Sequence, residues 1–223
     1  MDLRDGITEA VGRSEAAHSV RDQIISSAHV LQLPVKDLEL YTVRDFLSAA
    51  QCGELIAFID GNRIPSPVVA DAPVPAYRTS ETCYMDSTEP AVVAVELALH
   101  RLTGIDSVYG ELLQGQRYAV GQQFKPHHDF FRTDQRYWQE QVAMGGQRTW
   151  TVMAFLNEPE GGGRTNFPTA KLTVTPRTGN LLVWNNMDAV GWPNELSLHQ
   201  GMPVKMGVKY VLTKWYRERP WCR

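Results

Sequence analysis

The stretch "GQQFKPHHDFF" (121–131) places two imidazoles and a carboxylate side by side, at His127, His128 and Asp129. Side chains alternate along an extended chain. On a strand over 124–130, His127 and Asp129 therefore share one face and His128 points to the other. A histidine and a carboxylate two residues apart can grip one metal ion, but two ligands alone make a poor site. A third neutral imidazole would complete a facial set with open positions, which suits non-haem iron(II). An H-x-D tripeptide arises often by chance, so its surroundings must carry the rest of the case.

Four other histidines are available. His18, His29 and His100 fall on expected helices, where a solvated or partly packed histidine is the ordinary reading. His199 differs, because it precedes the turn "HQGMPVKMG" that feeds the last expected strand, and it is the candidate third ligand. Lys209 follows ten residues later at the start of a very apolar strand, with Val211, Thr213 and Trp215 as its same-face neighbours. A lysine on such a face either reaches solvent at a rim or needs an anion. In the second case it is a cation for the far carboxylate of a dicarboxylate co-substrate.

The elements that must position these residues can be read from periodicity. Ala17, Val20, Ile24, Ala28 and Leu31 form one face of a helix over residues 8–32, stopped by Pro34. Ser48 and Gln51 can form a capping box ahead of an apolar stripe at Cys52, Leu55, Ile56 and Ile59 that ends at Gly61. Residues 62–76 hold four prolines and read as loop. A third helix starts near Pro90, buries Val92, Val95, Leu99 and Leu102, and ends at Gly104. Short β-rich runs then follow: "TWTVMAFLN" (149–157), "KLTVTP" (171–176), "NLLVWNN" (180–186) and "VKYVLTKWY" (208–216). Helices first and strands later predict an α+β protein whose sheets form a sandwich or barrel with the helices outside.

Composition narrows the class. The 223 residues are 43% hydrophobic and 21% charged, as in an ordinary globular protein of one large or two small domains. With 22 basic and 25 acidic residues the net charge is -3, which provides no strong field for nucleic acid or an anionic membrane. The opening "MDLRDGITEA" carries no apolar leader, and no run of about 18 apolar residues occurs, so neither secretion nor a membrane span is expected. Cys52, Cys83 and Cys222 lie far apart and read as free thiols in a reducing compartment, hence a cytoplasmic protein.

Four stretches, taken together, resemble the prolyl 4-hydroxylase-type iron(II)/2-oxoglutarate dioxygenases. "YRTSETCYM" (77–85) is similar to the family's R-T-S segment. "ELLQGQRYAVGQQFKPHHDF" (111–130) is similar to its E-x-x-Q…Y-x-x-G-Q…H-x-D block. "GGGRTNFP" (161–168) and "LHQGMPVKMGVKYVLTKWYRE" (198–218) resemble its G-G-x-T-x-F-P turn and its H-x-x-x-P-V-x-x-G-x-K…K-W segment. The resemblance spans about 77–218 and leaves residues 1–40 outside. It implies a double-stranded β-helix (jelly roll) with supporting N-terminal helices, a helical extension over 1–40 and a single dioxygenase domain over 41–223.

Carried over by position, the resemblance places iron ligands at His127, Asp129 and His199. Lys209 falls on the partner of the 5-carboxylate of 2-oxoglutarate, and Tyr118, Thr165 and Trp215 line the same pocket. Arg78 and Tyr84 fall in a loop segment that closes on a peptide; the alternative is that they only anchor that loop. His128 stands where the family has an aromatic residue, and Tyr210 where many relatives carry tryptophan. The implied reaction is hydroxylation of prolyl residues in a peptide or protein, with iron(II), 2-oxoglutarate and O2 consumed or required, ascorbate a further candidate cofactor, and succinate and CO2 released. The same chemistry on a free amino acid or other small molecule is the nearest alternative. A non-catalytic jelly-roll binding module would not need the triad together with Lys209, and a zinc hydrolase of the cupin type would leave Lys209 unexplained. Nothing in the sequence sets the oligomeric state.

Overall fold

The computed structural model describes residues 3–67 and 76–222. Four helices occur among them: Leu3–Ser26 (α1), Ala49–Asn62 (α2), Pro90–Thr103 (α3) and Trp138–Ala143 (α4). Strands up to the middle of the chain are Val30–Gln32 (β1), Leu40–Val43 (β2), Ile64–Pro65 (β3), Glu81–Tyr84 (β4), Gln114–Tyr118 (β5), Phe124–His127 (β6) and Arg148–Phe155 (β7). Beyond it come Gly161–Gly162 (β8), Thr165–Phe167 (β9), Leu172–Val174 (β10), Leu181–Asn185 (β11), His199–Gly201 (β12), Val204–Met206 (β13) and Lys209–Arg217 (β14). They form an eight-stranded sheet in the order β1-β2-β11-β7-β14-β5-β4-β3, a four-stranded sheet β10-β9-β12-β6 and a ribbon β13-β8. The pairings between these strands are antiparallel.

Strand alternation gives the large sheet two different faces, and β14 shows both. Tyr210, Leu212 and Tyr216 join one core with Ala17, Val20 and Ile24 of α1, Cys52, Leu55 and Ile59 of α2, and Val92, Val95 and Leu99 of α3. Val211 points the other way, into a second core with Tyr118, Met153, Phe155, Leu182 and Trp184, closed by Phe167 of β9 and Val204 of β13. Helices thus cover one face and the smaller sheet covers the other. Each fully buried aliphatic or aromatic side chain contributes about 1.5–3 kcal/mol relative to exposure. The odd-numbered face of β14 looks between the two sheets, and Lys209, Val211, Thr213 and Trp215 all line the cavity found there.

Two expected helices follow the sequence closely. Gln51 N–H donates to Ser48 Oγ at 3.2 Å and Ser48 N–H to Gln51 Oε1 at 2.9 Å, completing the capping box of α2. Pro90 occupies the first turn of α3, and Gly104 ends it at φ 70, a left-handed conformation in which a Cβ is disfavoured.

The first helix departs from expectation. It ends at Ser26 rather than near residue 32, Ala28 is exposed, and Leu31 is 57% exposed. His29 takes φ 65, its carbonyl accepts from Arg44 N–H at 3.1 Å, and Val30–Gln32 then pairs with β2 as the sheet's outer strand. A sheet edge offered this segment ladder bonds that a free helix end could not match. His29 accordingly lies in a turn, not on a helix.

Two further differences bear on the site. Residues 64–65, within the expected loop, pair with β4, and 68–75 lie outside the described residues. The extended run expected over 124–130 stops at His127. Phe130 and Phe131 turn inward and are buried, and the Gln147 side chain clasps Phe131, accepting from its N–H at 2.6 Å and donating to its carbonyl at 2.8 Å. That clasp replaces ladder partners and bends the chain just after Asp129.

Candidate metal centre

β6 and β12 lie side by side with His127 opposite His199. The two rings are 4.2 Å apart between centroids. Phe124 stacks on His127 at 3.5 Å, while Phe167 and Trp184 flank His199 at 5.6 and 4.9 Å. Each imidazole makes the same bond to the backbone. His127 Nδ1 lies 2.8 Å from Lys125 O, and His199 Nδ1 lies 2.9 Å from Ser197 O. A carbonyl only accepts, so Nδ1 carries the hydrogen in both rings and Nε2 presents its lone pair. This is the outer support that metal-bound histidines use.

Both lone pairs converge on Asp129. His127 Nε2 is 3.9 Å from Asp129 Oδ1, and His199 Nε2 is 3.7 Å from Oδ2. One ligand atom from each of the three residues falls within 4.8 Å of the others. The carboxylate is oriented from behind. Thr151 Oγ1 donates to Oδ2 at 2.8 Å, and Asn186 Nδ2 donates to Thr151 Oγ1 at 2.9 Å. Burial opposes the charge on Asp129. His199, His127, Arg148 and the nearby Trp215 indole outweigh it and hold the carboxyl below its usual range. Burial, reinforced by His199, pushes His127 well below the ordinary histidine value despite Asp129 and the Lys125 carbonyl. Two imidazole Nε2 atoms and one carboxylate therefore face one point, a donor set that fits iron(II).

His128 takes no part in this set. Its Nε2 lies 3.2 Å from Glu195 Oε2, and its ring stacks on Phe130 at 4.4 Å. The separation of the two neighbouring histidines that alternation predicted is observed, although the strand ends between them.

The cavity beside the triad brings in Tyr118, Thr165, Lys209 and Trp215, and Arg78 also lines it. Lys209 is 2% exposed. Its ammonium reaches Thr165 Oγ1 at 3.4 Å and sits 5.5 and 5.6 Å from the Tyr118 and Phe155 ring centroids. Among the described residues no carboxylate lies within ion-pair distance of it, and burial lowers its pKa to about 7. The buried indole N–H of Trp184, on the same cavity, completes no hydrogen bond. A desolvated cation beside an unused donor fits an acceptor-rich anion.

Arg78 is tied down as well as directed inward. It donates to Ser80 Oγ at 3.0 Å, Thr82 Oγ1 at 3.1 Å and Pro67 O at 3.2 Å, and its guanidinium lies 4.8 Å from the Phe124 ring centroid. Tyr84 is 40% exposed at the end of β4, outside the cavity lining, and close enough to Arg78 and Arg148 to bias both electrostatically.

Sequence reasoning overlooked a buried charge cluster behind the site. Arg148 donates to both oxygens of Glu111 at 2.6 Å, and Arg217 Nε lies 2.6 Å from Glu111 Oε1. The Arg148 guanidinium sits 4.1 Å from the Trp215 ring and 4.8 Å from Phe131. The available signal was an arginine opening the apolar run "RTWTVMAF" (148–155) and another closing the last strand, both needing an inward carboxylate. Thr151 and Asn186, which orient Asp129, carry no comparable signal.

Residues 113–217 match the sequence model of the 2OG-Fe(II) oxygenase superfamily. The chain is 32% identical over 157 residues to prolyl 4-hydroxylase subunit alpha-1 of Homo sapiens, covering 70% of this chain and 29% of that subunit's length. It is 29% identical over 183 residues to a putative prolyl 4-hydroxylase of Acanthamoeba polyphaga mimivirus, covering 80% of this chain and 74% of that protein. Among solved structures it resembles the viral collagen prolyl hydroxylase of Paramecium Bursaria Chlorella virus-1 in complex with 2OG, with TM-score 0.63 and 26% identity over 79% of this chain and 94% of that one. A prolyl hydroxylase from Trichoplax adhaerens, solved with a hypoxia inducible factor oxygen degradation domain peptide fragment, shares the fold at TM-score 0.57 and 16% identity, over 92% of this chain and 90% of that one.

The two adjacent histidines are expected to separate by function. His127→Ala removes a converging donor and should weaken iron(II) or cobalt(II) binding by more than the ~10–100-fold typical of an outer-shell loss. His128→Phe should leave metal affinity within a few-fold of the parent. Anaerobic metal titration checks both, and equal losses in the two variants would refute the assignment.

Proposed function

Since the chain belongs to the 2OG-Fe(II) oxygenases and is of the prolyl 4-hydroxylase type, we propose that it is a dioxygenase that hydroxylates prolyl residues in a peptide or protein. The observation that carries the reading is Lys209, a buried ammonium without a carboxylate partner among the described residues, in the same cavity as a converging His–Asp–His set. In this reading His127, Asp129 and His199 would hold iron(II). Bound iron(II) with 2-oxoglutarate and O2 supplies the oxidising power: the oxo acid becomes succinate and CO2, and one oxygen atom enters a substrate C–H bond. Ascorbate would serve as an accessory reductant.

The remaining work belongs to the protein. Lys209 holds the far carboxylate of 2-oxoglutarate, Thr165 supplies a hydroxyl beside it, and Tyr118 and Trp215 wall the pocket. Enclosure between two sheets excludes water and strengthens each of these contacts. Arg78 and Tyr84 meet the peptide: an arginine can donate to peptide carbonyls and an aromatic face packs on a proline ring. An extended polyproline II segment suits such a site, because it exposes its carbonyls and loses little entropy on binding. Cys52, Cys83 and Cys222 are free, which supports a reducing, cytoplasmic setting. No described helix is long and apolar enough to cross a membrane.

Two outcomes are expected. Lys209→Ala should weaken 2-oxoglutarate binding by roughly 3–5 kcal/mol, because the buried carboxylate keeps its desolvation cost and loses its cation. The free lysine titrates near 7, and pairing with a carboxylate raises that value. Binding at pH 8 should therefore take up a proton, and affinity should fall as pH rises above about 7. Calorimetry in buffers of different ionisation enthalpy reads both, and pH-independent affinity without proton uptake would move the anion site elsewhere.

The second outcome concerns substrate. Proline-containing peptides should stimulate 2-oxoglutarate turnover and gain one oxygen by mass spectrometry, while free L-proline does so poorly. Arg78→Ala should raise KM for peptide without changing iron content. Efficient hydroxylation of free proline with peptides inert would replace the peptidyl reading with the small-molecule one.

A further inference from the structure

Two supports of Asp129 lead back to one residue of α1. The first runs through a turn. Thr151 Oγ1 bonds Asp129 Oδ2, and Asn186 Nδ2 bonds Thr151 Oγ1. Asn186 opens a loop that returns at Asn194, whose N–H donates to Asn186 O at 2.9 Å. Within that loop Asp188 closes a tight turn. Its carboxylate accepts from Val190 and Trp192 N–H at 3.0 and 2.9 Å, and its own N–H donates to Trp192 O at 2.7 Å. The loop is internally tied, so whatever fixes the turn also fixes Asn186.

The second support runs through the end of β14. Gln147 clasps the Phe131 backbone, two residues beyond Asp129. The Gln147 carbonyl in turn accepts from Glu218 N–H at 2.9 Å, just past the last strand.

Arg13 joins the two. Its Nε donates to Gly191 O in the turn at 2.7 Å, and its Nη1 donates to Glu218 Oε2 at 2.7 Å. The two side chains of that ion pair are only 8% and 7% exposed. Ser14 Oγ adds a bond to Ala189 O at 2.8 Å. Helix and turn lie so close that Gly191 takes φ 86, and a Cβ there would run into the Ala10 carbonyl. The planar fork of a guanidinium serves two acceptors at once in fixed geometry.

The second half of α1 packs differently. Ala17, Val20 and Ile24 enter the helix-covered core, and Gln23 Nε2 donates to Arg101 O at 3.0 Å. Apolar packing of that kind anchors a helix without demanding exact geometry. The first half instead commits a desolvated charge to the turn and to Glu218, an arrangement that holds only when its geometry is kept.

We propose that Arg13 is a positioning residue for the metal centre. By bridging the turn and the end of β14, it keeps the Asp129 carboxylate at the point where the His127 and His199 Nε2 atoms converge. The inference rests on the metal assignment above. It gives the N-terminal helix, which precedes the residues 113–217 that match the oxygenase model, a part in the site. Without Arg13 the two supports lose their common partner and can shift independently. Partners in direct contact with a metal ligand typically contribute about 10–100-fold to affinity, and Arg13 acts from further out, so about three- to tenfold is expected.

The test titrates the full-length protein anaerobically with cobalt(II), whose visible absorption reports ligand geometry. Arg13→Met keeps the reach of the side chain and removes both bonds. It should raise the cobalt(II) dissociation constant about three- to tenfold and alter the absorption band of the bound ion. Arg13→Lys keeps a charge for Glu218 but not the fork, and should fall between Arg13→Met and the parent. It also carries the test if Arg13→Met melts below the titration temperature. Gln23→Ala removes a bond from the other half of the same helix and serves as control: whatever its melting temperature, both cobalt readouts should stay at the parent values. Parent-like affinity and spectrum in folded Arg13 variants, or equal losses in Gln23→Ala, would overturn the role of Arg13 while leaving the metal assignment intact. Cobalt(II) binding that His127→Ala does not weaken would instead remove the metal assignment, and this inference with it.

Discussion

The site depends on the register between two short strands. His127 on β6 faces His199 on β12, and each ring is fixed by a bond from Nδ1 to the carbonyl two residues before it. Strand alternation alone would aim the side chains only roughly. The repeated backbone bond sets the tautomer and the ring plane, so both lone pairs meet Asp129. A one-residue slip between these strands would send one imidazole to the opposite face and leave a buried carboxylate with half its partners.

Much of the surrounding structure serves to keep that polar group buried. Phe124, Phe167 and Trp184 pack on the two rings, and Thr151 with Asn186 holds the carboxylate from behind. Behind Trp215, Arg148 and Arg217 share Glu111, so two cations lean on one anion. Breaking a buried pair of this kind by removing one partner typically costs about 3–5 kcal/mol. The cluster therefore fixes the wall of the metal cavity as firmly as the apolar core does. Lys209 differs because it lacks such a partner among the described residues, and burial brings its pKa to about 7. A structure that neutralises Arg148 so thoroughly and leaves Lys209 unpaired is arranged for an anion that the protein does not itself provide.

The elements with strong local chemistry were readable in the sequence. The Ser48/Gln51 box, the Pro90 start and the Gly104 end of α3, and the runs at 149–157 and 180–186 all appear as elements. His127 and Asp129 stood out by their spacing, His199 by its place before the turn that feeds the last strand, and Lys209 by its apolar same-face neighbours, and the structure brings all four to one cavity. Nonlocal decisions were not readable. The first helix stops at Ser26 because the edge of the large sheet captures Val30–Gln32, and nothing within that segment announces the edge. The bend after Asp129 comes from Gln147, which is 16 residues from Phe131 in sequence. The pairing of Glu111 with Arg148 and Arg217 likewise joins distant stretches, so no local pattern could reveal it.

An anaerobic crystal structure of the protein loaded with iron(II) and 2-oxoglutarate tests the central claim most directly. The account predicts one metal ion bound by Nε2 of His127, Nε2 of His199 and the Asp129 carboxylate, with the far carboxylate of 2-oxoglutarate on Lys209 Nζ. Metal held by other residues, or a co-substrate carboxylate seated away from Lys209, would contradict it.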